Sequence, residues 1–339
     1  MIRYQSLYKK FLIISLLIML VTLVGCSSQA EQTVESAKTA ETQTTASETK
    51  SSASEKAALV IAGPATPSSI PLIIAAEKMG NADVQIIENN SQANTAFLRG
   101  DISILVSGLS VGVDLYRNQA PVQIVNSYVT GMSSLVTYGE KVENFSELKG
   151  QEIYIPFEGS PIEEATSYLA KQEGLSWGKD LKPIYSPFDA SVALLKQGKA
   201  KAVVLPEPFV SVIEGQKNLN ISIDYFDRWN KATGSTAGYP QVAAFVTRDW
   251  AQKHPAELAA FNSALEDAVK FIQENPEQAV SQVKDHFKLP EKVLLKSISR
   301  THFSVATGDE MKNSVTDYYR LIGKPLDDGY KDFYYLPEK

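Results

Sequence analysis

Gly108-Leu109-Ser110-Val111-Gly112 has the spacing of a nucleophile elbow, in which a serine on a sharp strand-to-helix turn attacks a carbonyl. That chemistry needs an acid and then a histidine later in the chain. His254, His286 and His302 are the only histidines, all lie in the C-terminal third, and no HGGG-type oxyanion segment precedes Ser110. A secreted serine hydrolase built on Ser110 is therefore the sharpest enzymatic alternative, but a poorly supported one. The histidines fit neither HExxH nor HxxxH, so a zinc site has little support, and no GxxxxGK[ST] segment is present to hold ATP. The one cysteine, Cys26, excludes an intrachain disulfide, a multi-cysteine zinc site and a cysteine-held iron–sulfur cluster. A second set of residues suits binding better than catalysis. Ser68, Ser69, Ser107, Gly108, Thr130, Gly131, Gly159, Ser160 and Glu207 all fall where an apolar run ends. Small residues there let a ligand approach the backbone, and free N–H groups at helix starts favour an anionic or polar group. Each serine is equally suited to cap a helix.

These residues need elements to position them. Ala58–Ala62 is a short apolar run stopped by Gly63-Pro64, which predicts a buried strand. A helix with hydroxyl caps at its start is expected from Ile70. Strands follow at Val84–Ile87, Ile102–Val106 and Val122–Tyr128, with helices at Ser91–Leu98 and Ser110–Tyr116 between them. The alternation repeats: strands at Leu135–Thr137, Glu152–Ile155, Leu181–Tyr185, Ala202–Leu205, Ile221–Ile223 and Val242–Val246, helices from Ser160 and over Ala190–Lys196. Strand–helix alternation at this pace predicts mostly parallel sheets with helices on both faces. Leu258, Phe261, Leu265, Val269 and Ile272 then mark a helical stripe, broken at Asn275-Pro276. Two similar α/β units and a mostly helical tail result. In open α/β sheets ligands sit beyond the carboxyl ends of the strands, where the serines fall. Tyr225, Phe226, Trp229 and Tyr239 cluster late in the second unit; they either stack on a ligand ring or pack a hinge. Asp114 and Glu158 are better read as solvated caps than as contacts to a basic ligand.

The N-terminus is an address. Arg3, Lys9 and Lys10 precede an apolar stretch from Phe11 to Val24, the pattern of a secretory signal and too short for a comfortable span of about 20 residues. Leu23-Val24-Gly25-Cys26 resembles the lipobox of bacterial lipoproteins, in which the cysteine takes a diacylglycerol and becomes the mature N-terminus. Residues 1–26 are thus expected to be a lipoprotein signal peptide, with Cys26 as lipid attachment site. Residues 27–56 contain Val34 as their only large apolar side chain and are expected to form a disordered tether of roughly 30 Å root-mean-square reach. The formal charge is −6; losing Arg3, Lys9 and Lys10 leaves a body of −9 with no basic cluster, which argues against nucleic-acid binding.

Several short segments carry a family likeness: Pro71-Leu72 to Glu77, Phe97-Leu98-Arg99-Gly100-Asp101-Ile102, Ser146-Glu147-Leu148-Lys149-Gly150, Leu205-Pro206-Glu207-Pro208 and Asn275-Pro276-Glu277. In this order, over about residues 57–290, they resemble the substrate-binding proteins of ABC importers in the nitrate, sulfonate, taurine and thiamine-precursor group. The resemblance implies an α/β, two-lobed periplasmic-binding-protein type II fold: two doubly wound sheets, two hinge crossings and a helical C-terminal tail. Lobe one would be 57–130 plus 241–339 and lobe two 131–240, with crossings near Thr130-Gly131-Met132 and within Tyr225–Tyr239. It also implies a non-enzymatic monomer without a cofactor, partnered by a small-molecule ligand, an ABC permease and ATPase subunits, and the membrane through its lipid. The ligand contacts expected are Ser68, Ser69, Ser107, Gly108, Thr130, Gly131, Gly159, Ser160, Glu207 and Tyr239. No arginine is placed by the sequence to point at a cleft, which weakens a simple sulfonate or nitrate ligand; a heteroaromatic vitamin precursor is the other candidate. A thiamine-pyrimidine synthase-like enzyme of the wider family depends on a cysteine-rich motif, and the body has no cysteine.

Overall fold

Residues 59–337 are described by the computed structural model; the expected signal peptide, Cys26 and the tether lie outside them. β1 (Leu59–Pro64), β2 (Ala82–Ile87), β3 (Ile104–Gly108), β4 (Val122–Gly131), β10 (Val242–Thr247) and β11 (His302–Ala306) form one sheet in the order β11-β4-β10-β3-β1-β2. β5 (Ser133–Tyr138), β6 (Glu152–Ile155), β7 (Lys182–Tyr185), β8 (Ala202–Pro206) and β9 (Leu219–Asp224) form the other, ordered β7-β6-β8-β5-β9. The chain passes between the sheets at Met132 and again between Asp224 and Val242, so two crossings join two lobes.

β1, β3 and β10 of the first sheet are almost wholly apolar for a reason that their packing shows. Ile61, Ile104, Ala244 and Val246 face a core shared with α1 (Ile70–Met79), α9 (Pro255–Glu274) and α10 (Pro276–Val283). Their neighbours Ala62, Leu105, Ala243 and Phe245 face the opposite core, with α2 (Asn90–Arg99), α3 (Leu109–Arg117) and α12 (Gly308–Leu321). A strand buried on both faces loses the polar alternation of a half-exposed one. The stripe Leu258, Phe261, Leu265, Val269 and Ile272 is wholly buried on α9, and the helix stops at Glu274 as the Asn275-Pro276 break requires. The second sheet carries α4 (Pro161–Gln172), α5 (Phe188–Lys196), α6 (Phe209–Ile213) and α7 (Tyr225–Thr233). α8 (Arg248–Lys253) and α11 (Glu291–Ser299) complete the helices named here.

One expectation changes and two gain detail. The sheets are mixed rather than mostly parallel: β2, β1 and β3 are parallel, but β10 runs antiparallel to both β3 and β4, and β5 antiparallel to both β8 and β9. The chain enters β5 from β4 and β10 from β9 by passing from one sheet to the other rather than by a crossover within one sheet, so their direction is free of the parallel rule. The tail contains β11, an edge strand with irregular register against β4; five residues paired on one side leave no clear period. The second crossing contains α7, begun where the Asp224 side chain accepts from the Asp227 N–H and closed at Gly234.

Candidate functional site

The loops after β1 and β3 meet the second lobe unequally. Ser69 does not cap α1 with its side chain; its hydroxyl donates to the Pro64 carbonyl at 2.6 Å. Ser68 bonds Thr66 at 2.7 Å, and its carbonyl accepts from Tyr128 Oη at 2.8 Å. Both serines are fully buried within their own lobe, so they shape the loop rather than open onto a gap. Ser107 lies inside β3 opposite Ala243. Gly108 is the residue that reaches across: a Cβ built on it would lie 2.9 Å from Cγ of Pro161, the first residue of α4. The helix start facing lobe two is therefore that of α3 rather than that of α1.

Ser160 does cap α4, accepting from the Glu163 N–H at 3.1 Å. Glu163 answers by accepting from Gly159 N, Trp177 Nε1 and Tyr185 Oη. With Pro161 lacking an N–H and Glu163 satisfied, α4 has fewer donors for an anion than its sequence implied. Thr130 donates to the His302 carbonyl at 3.4 Å and accepts at its own carbonyl from Tyr239 N at 3.0 Å. Gly131 lies against Phe226, where a Cβ would come within 2.8 Å. Tyr239 is buried beside Trp229 at 4.9 Å and Tyr318 at 5.8 Å between ring centroids. Tyr225 and Trp229 are buried with it, so these three aromatics pack the second crossing.

None of the ten expected contacts lines a cavity of about 840 Å³ between the lobes. Its first wall holds Ala65 after β1 and Glu88, Asn89 and Gln92 after β2. Its second wall holds Asp189, Val192 and Lys196 of α5 and Phe209 of α6, while His286 and Lys288 close one side. Four strands thus turn their carboxyl ends, or the loops that follow them, to one space, the place where open α/β sheets hold ligands. Phe209 is braced by Phe188 at 5.1 Å. Sequence reading passed over this wall because Asn89 and Phe209 resemble ordinary cap and packing residues. The signal available was position: each directly follows a strand or its loop. Gln241 was missed as well. Its side chain accepts from Met132 N at 3.1 Å and donates to Ser133 Oγ at 2.8 Å, while its carbonyl accepts from Leu109 N at 3.0 Å. One residue of the second crossing thereby ties down the first.

Glu207 ends β8 almost wholly buried. Its N–H donates to the Met132 carbonyl at 2.7 Å, Oε2 accepts from Ser211 N at 3.2 Å, and Oε1 stands 3.8 Å from Arg300 Nη1. Burial pushes its carboxyl above the ordinary 4.5, against the pull of Ser211 and Arg300. A carboxyl raised on folding favours the folded state below its unfolded value, and this is lost as pH rises through the folded value. Glu207→Gln keeps an acceptor for Ser211. It should therefore gain stability relative to the parent on going from pH 4 to pH 7, in chemical denaturation at both pH values. A constant difference across that range would count against the buried charge.

Ser110 sits on α3, buried, with no hydrogen-bond partner for Oγ among the described residues. His254 pairs with Glu257, His302 stacks on Phe226, and His286 borders the cavity. The serine–histidine hydrogen bond of a hydrolase is not formed. Among the described residues, no group of three or more His, Cys, Asp or Glu is placed to hold a metal ion.

No curated protein matches the sequence. Among solved structures, an ABC transporter structure from Parabacteroides distasonis is 21% identical with a TM-score of 0.66, covering 84% of this chain and 99% of its own. The periplasmic aliphatic sulphonate binding protein of Escherichia coli is 16% identical with a TM-score of 0.69, covering 83% and 92%. A ligand-binding component of an ABC-type import system from Staphylococcus aureus is 14% identical with a TM-score of 0.67, covering 82% and 96%. At these identities the likeness establishes the two-lobed fold. Residues 52–284 match the NMT1-like family, which is more than half of the sequence, and the chain belongs to that family.

Proposed function

We propose that this chain is the solute-binding component of an ABC importer, capturing a small organic molecule between lobe one (57–130 and 241–339) and lobe two (131–240). The observation that carries the reading is the cavity of about 840 Å³ walled by strand ends of both sheets, with only two crossings between them. A solute that contacts both walls binds the closed arrangement better than the open one, and so shifts the population toward closure. Gly108, Ser160 and Glu207 lie where the lobes meet and become the inner contacts when they part; Thr130, Gly131 and Tyr239 serve the crossing. The named relatives, one of them a sulphonate binder, support a small polar organic solute: an organosulfur or nitrogen compound, or a heteroaromatic vitamin precursor. The chain acts by capture and release, without catalysis, and a permease with its ATPase supplies the energy. A panel of such compounds should contain one that stabilises the protein by about 2.7 kcal/mol at a hundredfold excess over its Kd, read as a thermal shift. A panel in which no compound at millimolar concentration moves the midpoint would count against these solute classes.

The lipobox supports a lipid anchor on the extracytoplasmic side of a bacterial membrane. Among the described residues no helix is long and apolar enough to cross a membrane. Cys26→Ala should abolish lipid labelling and release the protein from the membrane fraction, with the thermal midpoint of the folded body unchanged. Persistent labelling would remove Cys26 as the attachment site.

A further inference from the structure

We propose that Glu214, Lys296 and Arg300 form an ionic latch that stabilises the closed arrangement of the lobes relative to the open one. The inference rests on the two-lobed carrier reading. Glu214 ends α6, which follows β8 of the second sheet, whereas Lys296 lies on α11 and Arg300 ends it, just before β11 of the first. Each carboxylate oxygen of Glu214 takes its own cation: Oε2 accepts from Lys296 Nζ and Oε1 from Arg300 Nη2. Arg300 Nη1 also donates to Ser211 Oγ at 3.1 Å, one turn earlier on α6. These hydrogen bonds hold the Glu214 carboxyl below its usual range.

The position of this cluster matters as much as its chemistry. Phe209 and Val212 of α6 line the large cavity, so the latch stands at the cavity's edge. Arg300 Nη1 also stands 3.8 Å from Glu207 Oε1, whereas a further inter-lobe ion pair, Lys324 with Glu164 at 3.1 Å, is different. Glu164 is buried and also accepts from Tyr318, which packs on Trp229 of the second crossing, so that pair sits at the pivot. Parting the lobes must break the Glu214 contacts, because they join elements carried by different sheets. All three latch side chains keep partial access to water, with 29%, 43% and 27% exposure for Glu214, Lys296 and Arg300. An ion pair of that kind is modest in strength and is weakened by salt. That suits a contact that must open repeatedly. Solute entry then depends on ionic strength through a site that touches no solute.

The test reads lobe separation without any solute. Spin labels on Gln197→Cys and Asp285→Cys, exposed positions beside the two cavity walls, report the distance by pulsed dipolar spectroscopy in the full chain carrying Cys26→Ser. A short-distance population should be present at low salt beside the open one. About 1 M salt, where the Debye length is about 3 Å, should raise the open-to-closed ratio about tenfold. Arg300→Gln and Glu214→Gln should each raise it about tenfold at low salt and lose most of the salt response. The double variant should open by less than the sum of the two single effects, since both remove the Arg300–Glu214 contact. Unchanged distances in both variants, or strictly additive opening, would overturn the latch. The salt series on the unsubstituted latch stands even if a variant folds poorly, and a flat salt response alone overturns the proposal. Because no solute is present, failure here leaves the carrier reading intact, and failure of the solute panel leaves the latch result readable.

Discussion

Gly238→Ala should lower the thermal midpoint by roughly 10 °C, the larger of the two strongest effects expected here. Gly238 adopts φ +72°, and a Cβ there would lie 2.1 Å from the Thr130 carbonyl oxygen and 2.6 Å from the Phe226 ring. The left-handed conformation costs a non-glycine residue about 1–2 kcal/mol, and overpacking adds about 1–3 kcal/mol. The nearest obstacle is backbone, so no rotamer change relieves it; the two crossings must move apart. A loss of about 3 kcal/mol is a large share of the roughly 5–15 kcal/mol that holds a domain folded, and each kcal/mol shifts the midpoint by about 2–4 °C at this size. Gly234 supplies the comparison: its φ is +73° but nothing lies within 4 Å of a built Cβ. Gly234→Ala should therefore show the conformational cost alone. Equal losses in the two variants, measured by differential scanning calorimetry, would mean that the crossings are not wedged together at Gly238.

Gly108→Leu should weaken solute binding more than tenfold while leaving the body folded. At Gly108 φ is −58°, which any residue adopts, so the backbone carries no penalty. The obstacle is Pro161 of the other lobe, 2.9 Å from a built Cβ, and a leucine side chain extends well beyond Cβ. The open protein accommodates it in the gap; the closed protein does not. Tenfold in affinity corresponds to about 1.4 kcal/mol. Titration calorimetry with the compound found by the thermal-shift panel makes the measurement, and unlabelled urea denaturation checks the fold. Ser69→Leu is the contrasting case. Ser69 is sealed inside lobe one against Pro64 and Gly63, so its replacement should damage stability first. Affinity unchanged in Gly108→Leu would place closure away from this contact.

What sequence alone determined about this protein are the features carried by neighbours along the chain. β6 lies at Glu152–Ile155 as its apolar run predicts, and the buried stripe of α9 ends where Pro276 forbids continuation. Helix α2 closes at Gly100, whose φ of +83° suits glycine. Hydrophobic period, turn residues and the order of short family segments sufficed for two α/β lobes and a cleft. Tertiary structure decided everything that depends on residues far apart meeting. The antiparallel direction of β10 and the edge strand β11 follow from which strand lies next to which, and five-residue strands carry little information about their partners. The cavity wall joins Asn89 to Asp189 and Phe209, a hundred or more positions later, each ordinary in its local sequence. Gln241 as a tie between crossings, Gly108 against Pro161, and Glu214 between Lys296 and Arg300 belong to the same class. Their side-chain types would serve equally on a solvated surface, and only the packing of one lobe on the other sets them to work.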